Sequence, residues 1–339
     1  MFAPRIATLL ALAACPIALA QNVGAGAGNK ESREAIRNTG ATPPAKPADA
    51  TPAADAQQPA QPAAPAEPRM FKIAGGFVQQ FDTGLNTGGN YAASRAYAAF
   101  SSRTRLTDNM NLDIGLGYEF DHYEFHGTAI GLGSTLNTEA LSVTPRFTVA
   151  LDRHWAVGGA PILQIAGESE ADAGKTITGG GIANFRYAFD EDHVLGLGVL
   201  AKGLLGSGVI VVPAPLVDWK VAEGLRISNI RGPEANPFVG LEIEQELSSQ
   251  VDVAFGGAWE FRQARLDDNG ADANWIFQES NTSIYGRIEW RPVNALRFDF
   301  VAGSALYSRV KTLDGGGNTM TSTGANPALI LGAFISYRF

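Results

Sequence analysis

The feature that most constrains this chain is the two-residue period of its C-terminal stretch, residues 329–339. Counting back in twos from Phe339 through Tyr337 and Ile335 to Leu329, every position is apolar or aromatic. The positions between them include Arg338 and other polar or small residues. A period of two predicts a β-strand with one apolar face and one face of mixed polarity.

The same alternation recurs along the chain from Phe71 onward, and the segments are separated by turn residues. Short turns are predicted near 107–109, 151–154, 190–193, 221–224, 248–250 and 291–294. They alternate with mostly longer connections, which include 82–91, 123–137, 166–176, 263–279 and 309–326. One rim of tight turns and one rim of long loops is typical of membrane barrels.

We therefore predict an all-β fold, a transmembrane antiparallel up-and-down β-barrel of about fourteen strands, or about twelve if strands eight and nine are misread. Strand eight, at 209–219, is apolar on both faces and contains Pro213 and Pro215. Because proline cannot donate to a ladder, we expect this strand to be locally irregular. The alternative is a soluble all-β sandwich, which also alternates but would expose the charges of the polar faces.

The aromatic end of the last strand resembles the closing strand of outer-membrane β-barrels of Gram-negative bacteria. The pattern of that family is Gly-x-x-aromatic-x-Phe, which Tyr337 and Phe339 match, whereas Phe334 stands where the glycine belongs. The resemblance implies that Tyr337 and Phe339 form the signal read by the outer-membrane assembly machinery. It also implies a location in the bacterial outer membrane, among its lipids and lipopolysaccharide.

Composition excludes several classes of function. The net charge of −8 and the lack of a basic stripe argue against a nucleic-acid partner. Cys15 is the only cysteine, which excludes disulfide frameworks and zinc fingers. We predict no cofactor.

The N-terminus has the pattern of a targeting segment. Arg5 precedes the apolar run 6–20, which ends in the small-x-small sequence Ala-Leu-Ala before Gln21. Residues 1–20 therefore read as a removable signal peptide. The competing reading is a lipoprotein signal, in which Cys15 is lipidated.

Residues 21–69 contain almost no bulky apolar side chain, and 42–68 are rich in Pro and Ala. This composition predicts a disordered, extended linker, which the resemblance to outer-membrane barrels would place in the periplasm. The alternating segments that follow define a barrel domain at 70–339.

If the apolar faces meet lipid, the opposite faces line the lumen with both signs of charge. The sharpest anionic stripe is Glu242, Glu244 and Glu246, and the cations proposed to tune selectivity with it are Arg262, Arg287 and Arg297. One hypothesis is a charge-lined conduit that favours cations. The other is an interior in which these charges form ion pairs with one another and narrow the pore.

A weaker candidate site is His122, Glu124 and His126, which share one face of a strand and form a plausible ligand set for a divalent metal. A solvated strand extension is the simpler reading, so we assign no metal. An outer-membrane lipid hydrolase would need a nucleophile beside a base, and no Gly-x-Ser-x-Gly motif is present. We therefore do not expect an enzyme.

Two functions remain. The first is a channel or transporter for small solutes across the outer membrane. The second is a closed barrel that serves as a structural anchor or a surface-interaction protein.

Overall fold

The computed structural model describes residues 70–127, 130–229, 238–269 and 272–339. The signal peptide predicted at 1–20, the Cys15 alternative and the linker predicted at 21–69 lie outside the described residues. Within the described part of the chain, no helix is long and apolar enough to cross a membrane.

The described residues form fifteen strands and one helical turn. The first eight strands are β1 (Met70–Gly84), β2 (Asn90–Thr107), β3 (Met110–His126), β4 (Thr135–Ala150), β5 (Trp155–Gly167), β6 (Ile177–Ala188), β7 (His193–Gly203) and β8 (Val209–Ala222). The others are β9 (Leu225–Asn229), β10 (Phe238–Ser248), β11 (Val251–Arg265), β12 (Ile276–Val293), β13 (Leu296–Leu313), β14 (Thr319–Ala325) and β15 (Ala328–Arg338). The helical turn α1 (Ala173–Thr176) lies between β5 and β6.

Fourteen of the strands close into one antiparallel barrel. Each strand from β1 to β13 pairs with its neighbours in sequence, and β15 joins β13 to β1. The predicted count of fourteen is confirmed, and the alternative of twelve is wrong. The segment predicted as a loop at 309–326 is also corrected, because β13 continues to Leu313 and β14 extends the sheet beyond the cylinder.

The seam between β1 and β15 closes the barrel along most of the last strand. Its register runs from Lys72 opposite Arg338 to Gln80 opposite Ile330. At the end of the seam, the N–H of Phe71 donates to the carbonyl of Phe339 at 2.9 Å, and the reverse bond measures 3.0 Å. The two rings stack with their centroids 5.7 Å apart.

The seam also explains the departure from the family pattern at Phe334. This side chain points into the barrel and is directly opposite Gly76 in the ladder. A Cβ at Gly76 would collide with the Phe334 ring, which also lies 6.2 Å from the ring of Tyr97. The large ring on the last strand is therefore accommodated by a glycine on its partner strand across the seam.

The outer surface of the barrel is apolar. Large side chains at alternate positions are strongly exposed, and examples are Phe77, Leu163, Val211, Phe255 and Leu331. Aromatic rings gather at the rim of short turns, where Trp155, Tyr187, Phe189 and Trp219 contact one another in series. An apolar band with an aromatic girdle is typical of a wall that faces lipid.

The short turns are closed by side-chain caps. In the β4–β5 turn, a carboxylate oxygen of Asp152 accepts the backbone N–H groups of His154 at 2.7 Å and Trp155 at 2.8 Å. These bonds hold the pKa of Asp152 below its usual value, because they stabilise the ionised form. Gly224 closes the β8–β9 turn with φ +68°, a backbone conformation that favours glycine.

One expectation about β8 is wrong. Its ladder with β7 runs from Val209 to Trp219 without a register shift, through both Pro213 and Pro215. Both prolines lie on the outward face, and the described ladder between β8 and β9 begins only at Asp218. Within the described residues, the prolines therefore lie beyond the β8–β9 ladder and are accommodated in a regular ladder with β7.

Deleting Phe339 removes both backbone hydrogen bonds to Phe71 and the ring stack at the seam. We expect the barrel to lose about 1–3 kcal/mol of unfolding free energy, measured by urea unfolding in lipid vesicles, and to assemble less in the outer membrane.

The variant Phe339→Ala is the control, because it keeps the backbone bonds and loses only the ring. Unchanged stability and unchanged membrane levels on deletion would contradict the role assigned to this end.

Candidate functional site: the barrel interior

The candidate site is the set of inward-facing side chains, which the sheet places at alternate positions. The interior contains two charge clusters, an apolar cluster at the rim of long loops, and an apolar wall on β5–β8. One of the charge clusters joins strands on different sides of the lumen, and the other stays on neighbouring strands.

The loop-side charge cluster consists of Arg95, Glu119, Asp121, Arg262 and Glu279, all of them buried. Nε of Arg262 on β11 donates to Glu119 on β3 at 2.6 Å. Nη2 of Arg95 on β2 donates to Glu279 on β12 at 2.7 Å. These pairs join strands that are far apart around the cylinder, so they cross the lumen rather than follow one wall.

An apolar cluster packs next to the loop-side charge cluster, at the rim of long loops. It contains Leu85, Tyr91, Ala93, Tyr123, Phe125, Ile130, Leu136, Leu266, Phe277 and Val310. The rings of Tyr123 and Phe277 are 4.6 Å apart, and the Tyr123 hydroxyl donates to Glu279 at 3.0 Å. Aromatic packing and charge pairing are therefore continuous where Tyr123 contacts both clusters.

The barrel wall itself bends inward at the same end. Gly167 at the end of β5 pairs in parallel with Arg265 at the end of β11, and the N–H of Glu168 donates to the Arg265 carbonyl at 2.8 Å. Five strands separate β5 from β11 in the sheet. Residues 204–208, here called the crossing loop, also reach β11, because the N–H of Leu205 donates to Gln263 at 3.0 Å.

The turn-side charge cluster consists of Glu242, Arg287, Glu289, Arg297 and Asp299. Arg287 donates to Glu242 at 2.7 Å, to Glu289 at 2.7 Å and to Asp299 at 2.9 Å. Its members lie on β10, β12 and β13, so this cluster follows one wall and does not bridge the lumen.

The structure separates the residues that we predicted to tune selectivity. Arg287 and Arg297 belong to the turn-side charge cluster, whereas Arg262 belongs to the loop-side charge cluster. Of the glutamate stripe, Glu242 is buried against Arg287, and Glu244 approaches the same guanidinium at 3.4 Å. Glu246 is exposed near the rim of short turns.

The middle of the remaining wall is apolar and partly exposed, and the paired charges of β8, Asp218 and Lys220, lie at its turn end. Its inward positions on β5, β6 and β8 are Ile162, Ile182, Ile210, Val212, Ala214 and Leu216. Because these side chains point into the lumen, their partial exposure means that solvent reaches this wall. The sequence shows that β8 is apolar on both faces, but it does not show that the inward face lines the lumen.

The histidines show no catalytic arrangement. His122 lies 2.7 Å from the Asn137 amide oxygen, and it and His126 approach Glu124 at 3.4 Å and 3.9 Å. In the described ranges, no three His, Cys, Asp or Glu side chains are grouped to hold a metal ion. Among the described residues, the ring of His154 bonds to Arg153 and to a backbone carbonyl. The ring of His193 bonds to Asp190 and to a backbone carbonyl, so within this part of the chain neither histidine bonds to a serine.

Replacing Arg287 by Met leaves three buried carboxylates without their shared cation. We expect the unfolding free energy to fall by about 3–5 kcal/mol, because buried Glu242 loses its hydrogen-bonded cation while Glu289 and Asp299 keep only Arg297 within the cluster. Urea unfolding in lipid vesicles measures this loss.

The control is Arg105→Met, since Arg105 is partly exposed and its partner Asp108 is fully exposed. That change should cost about 1 kcal/mol or less. Equal effects of the two substitutions would show that the turn-side charge cluster does not stabilise the barrel.

No protein-family model matches the sequence, and no curated protein sequence matches it. Among solved structures, an outer-membrane channel from Pseudomonas putida F1 is similar, with 12% identity, a TM-score of 0.45, and 80% of this chain and 95% of that chain covered.

The P. putida toluene transporter TodX has 11% identity and a TM-score of 0.40, with 80% of this chain and 90% of that chain covered. A Pseudomonas aeruginosa FadL homologue has 8% identity and a TM-score of 0.42, with the same coverage. Similarities this low carry no information about a substrate or a mechanism, which have to come from the residues of this barrel.

Proposed function

We propose that this protein is an outer-membrane channel that conducts small apolar or amphipathic solutes along the apolar wall of its lumen. Residues 21–69 would lie on the periplasmic side, with the rim of short turns. The outer-membrane lipids, lipopolysaccharide and the assembly machinery are its proposed partners. We do not propose an enzymatic activity.

The observation that carries the proposal is the asymmetry of the interior. On one side, charges are buried and satisfied by each other. On the other side, Ile182, Val212 and Leu216 face the lumen and remain partly exposed. Apolar surface in contact with water costs about 25 cal/mol per Å², so an exposed apolar surface of this kind usually marks a place where something binds.

The paired charges argue against a wide, water-filled pore. The Arg262–Glu119 and Arg95–Glu279 pairs cross the lumen below the apolar cluster. A hydrated solute on the axis would have to separate them, whereas a solute on the apolar wall would not. This favours a selective conduit over a general diffusion pore.

The same packing favours the second candidate function, a closed barrel that acts as an anchor or an interaction surface. Single-channel conductance in planar bilayers distinguishes the two. Steady openings support the channel, and a correctly folded but silent barrel that also fails to pass apolar solutes supports the anchor.

A tryptophan at Val212 tests the conduit directly. This residue faces the lumen and is partly buried, whereas the adjacent Val211 faces outward with 61% exposure. We expect Val212→Trp to reduce the flux of a small aromatic solute into proteoliposomes several-fold, because the indole would fill the space next to the wall that the solute has to pass.

Val211→Trp is the matched control, since it adds the same side chain on the lipid side and should leave flux unchanged. Equal flux through both variants would refute transport along this wall.

The glutamate stripe gives a separate prediction about ion selectivity. The charges of Glu242 and Glu244 are compensated by Arg287, whereas Glu246 is exposed. We therefore expect Glu246→Gln alone to cause most of the loss of cation preference that neutralising all three glutamates causes. Reversal potentials in a salt gradient measure it. Unchanged selectivity in the triple variant would remove these residues from any role in ion selection.

A further inference from the structure

Lys202 is a buried lysine at the loop-side end of the apolar wall. It lies near the end of β7, with only 4% of its surface exposed. Its Nζ donates to the side-chain oxygen of Gln164 on β5, a neutral partner. No described carboxylate forms an ion pair with it. Glu119 is near enough to attract the ammonium electrostatically, but its own ion pair is with Arg262.

A lysine ammonium has three donors, and here one of them is used. Burial of a charge is costly unless it is paired and fully hydrogen-bonded. Two donors without an acceptor among the described residues therefore leave a position that an anion would complete.

A second unsatisfied group lies beside the first. Thr178 on β6 is directly opposite Gln164, is 8% exposed, and its hydroxyl has no hydrogen-bond partner among the described residues. Gly180 is opposite both Lys202 and Ile162. A Cβ at Gly180 would lie 2.9 Å from the Lys202 Cα, so the glycine leaves room for the lysine side chain to run across β6.

The apolar wall begins at the same level. Ile210 is opposite Lys202 in the ladder, and Leu200 is opposite both Ile182 and Val212. From Ile210 to Leu216, the inward positions of β8 extend for roughly 20 Å at the usual rise of a strand. The crossing loop starts two residues after Lys202 and reaches over to β11.

We propose that Lys202, with Gln164 and Thr178, binds the carboxylate of an organic acid whose apolar body lies along Ile182, Ile210 and Val212. This rests on the proposed conduit and names the class of solute that it selects. The carboxylate accepts from the two unused donors of Lys202 and from the Thr178 hydroxyl. The crossing loop covers the polar end, and the apolar body displaces water from the wall.

The test compares phenylbutyrate with its neutral counterpart phenylbutanol, by isothermal titration calorimetry on the full chain in lipid nanodiscs, with empty nanodiscs subtracted. We expect the acid to bind about ten- to a hundred-fold more tightly, the usual range for a hydrogen bond to a charged group. Lys202→Met should remove this preference without changing the affinity for the alcohol.

Lys220→Met is the control, because Lys220 also faces inward but lies at the turn end of β8 and pairs with Asp192. It should keep the preference for the acid. Equal affinities of acid and alcohol in the wild type would overturn the proposal, even if Lys202→Met failed to fold. A preference that survives Lys202→Met would overturn it as well.

Failure of this site is distinguishable from failure of the conduit. Flux of neutral aromatic solutes that depends on Val212, without any preference for the acid, keeps the conduit and rejects the Lys202 site. A preference for the acid that depends on Lys202, without flux, keeps the site and rejects the conduit.

Discussion

Every feature of this barrel depends on the closure of the sheet between β1 and β15. A strand edge in an apolar solvent would leave a row of N–H and C=O groups without partners, each at a cost of several kcal/mol. The seam removes that edge through nine paired positions and the Phe71–Phe339 bonds. Once the sheet is closed, the two-residue period leaves each strand with one outward and one inward face, and it is the inward faces that form the site.

The two charge clusters solve the same problem of burial in different ways. The turn-side charge cluster collects its carboxylates around Arg287 on one wall. The loop-side charge cluster pairs residues from opposite walls, as Arg262 does with Glu119. The first arrangement lines the lumen and the second obstructs it, although the amino acids involved are the same.

Sequence pattern predicted the barrel, its strand number and the inward direction of the charges, because these depend only on local alternation and turn chemistry. It could not predict the partners. Arg262 and Glu119 are 143 positions apart, and their contact exists only once β11 and β3 face each other in the closed barrel. The pairing of Phe334 with Gly76 across the seam could not be predicted for the same reason, since the register between the first and last strands is not visible along the chain.

The inward bend decides where a solute is able to travel. Separating a buried ion pair by removing one partner costs about 3–5 kcal/mol, so an axial path through the loop-side charge cluster would carry a barrier of that order for each pair. The wall formed by Ile162, Ile182 and Val212 carries no charge that has to be separated. In the proposed conduit, paired charges on one side would therefore direct a permeating molecule to the other side, and the chemistry of that side, apolar residues ending at Lys202, would set what it selects.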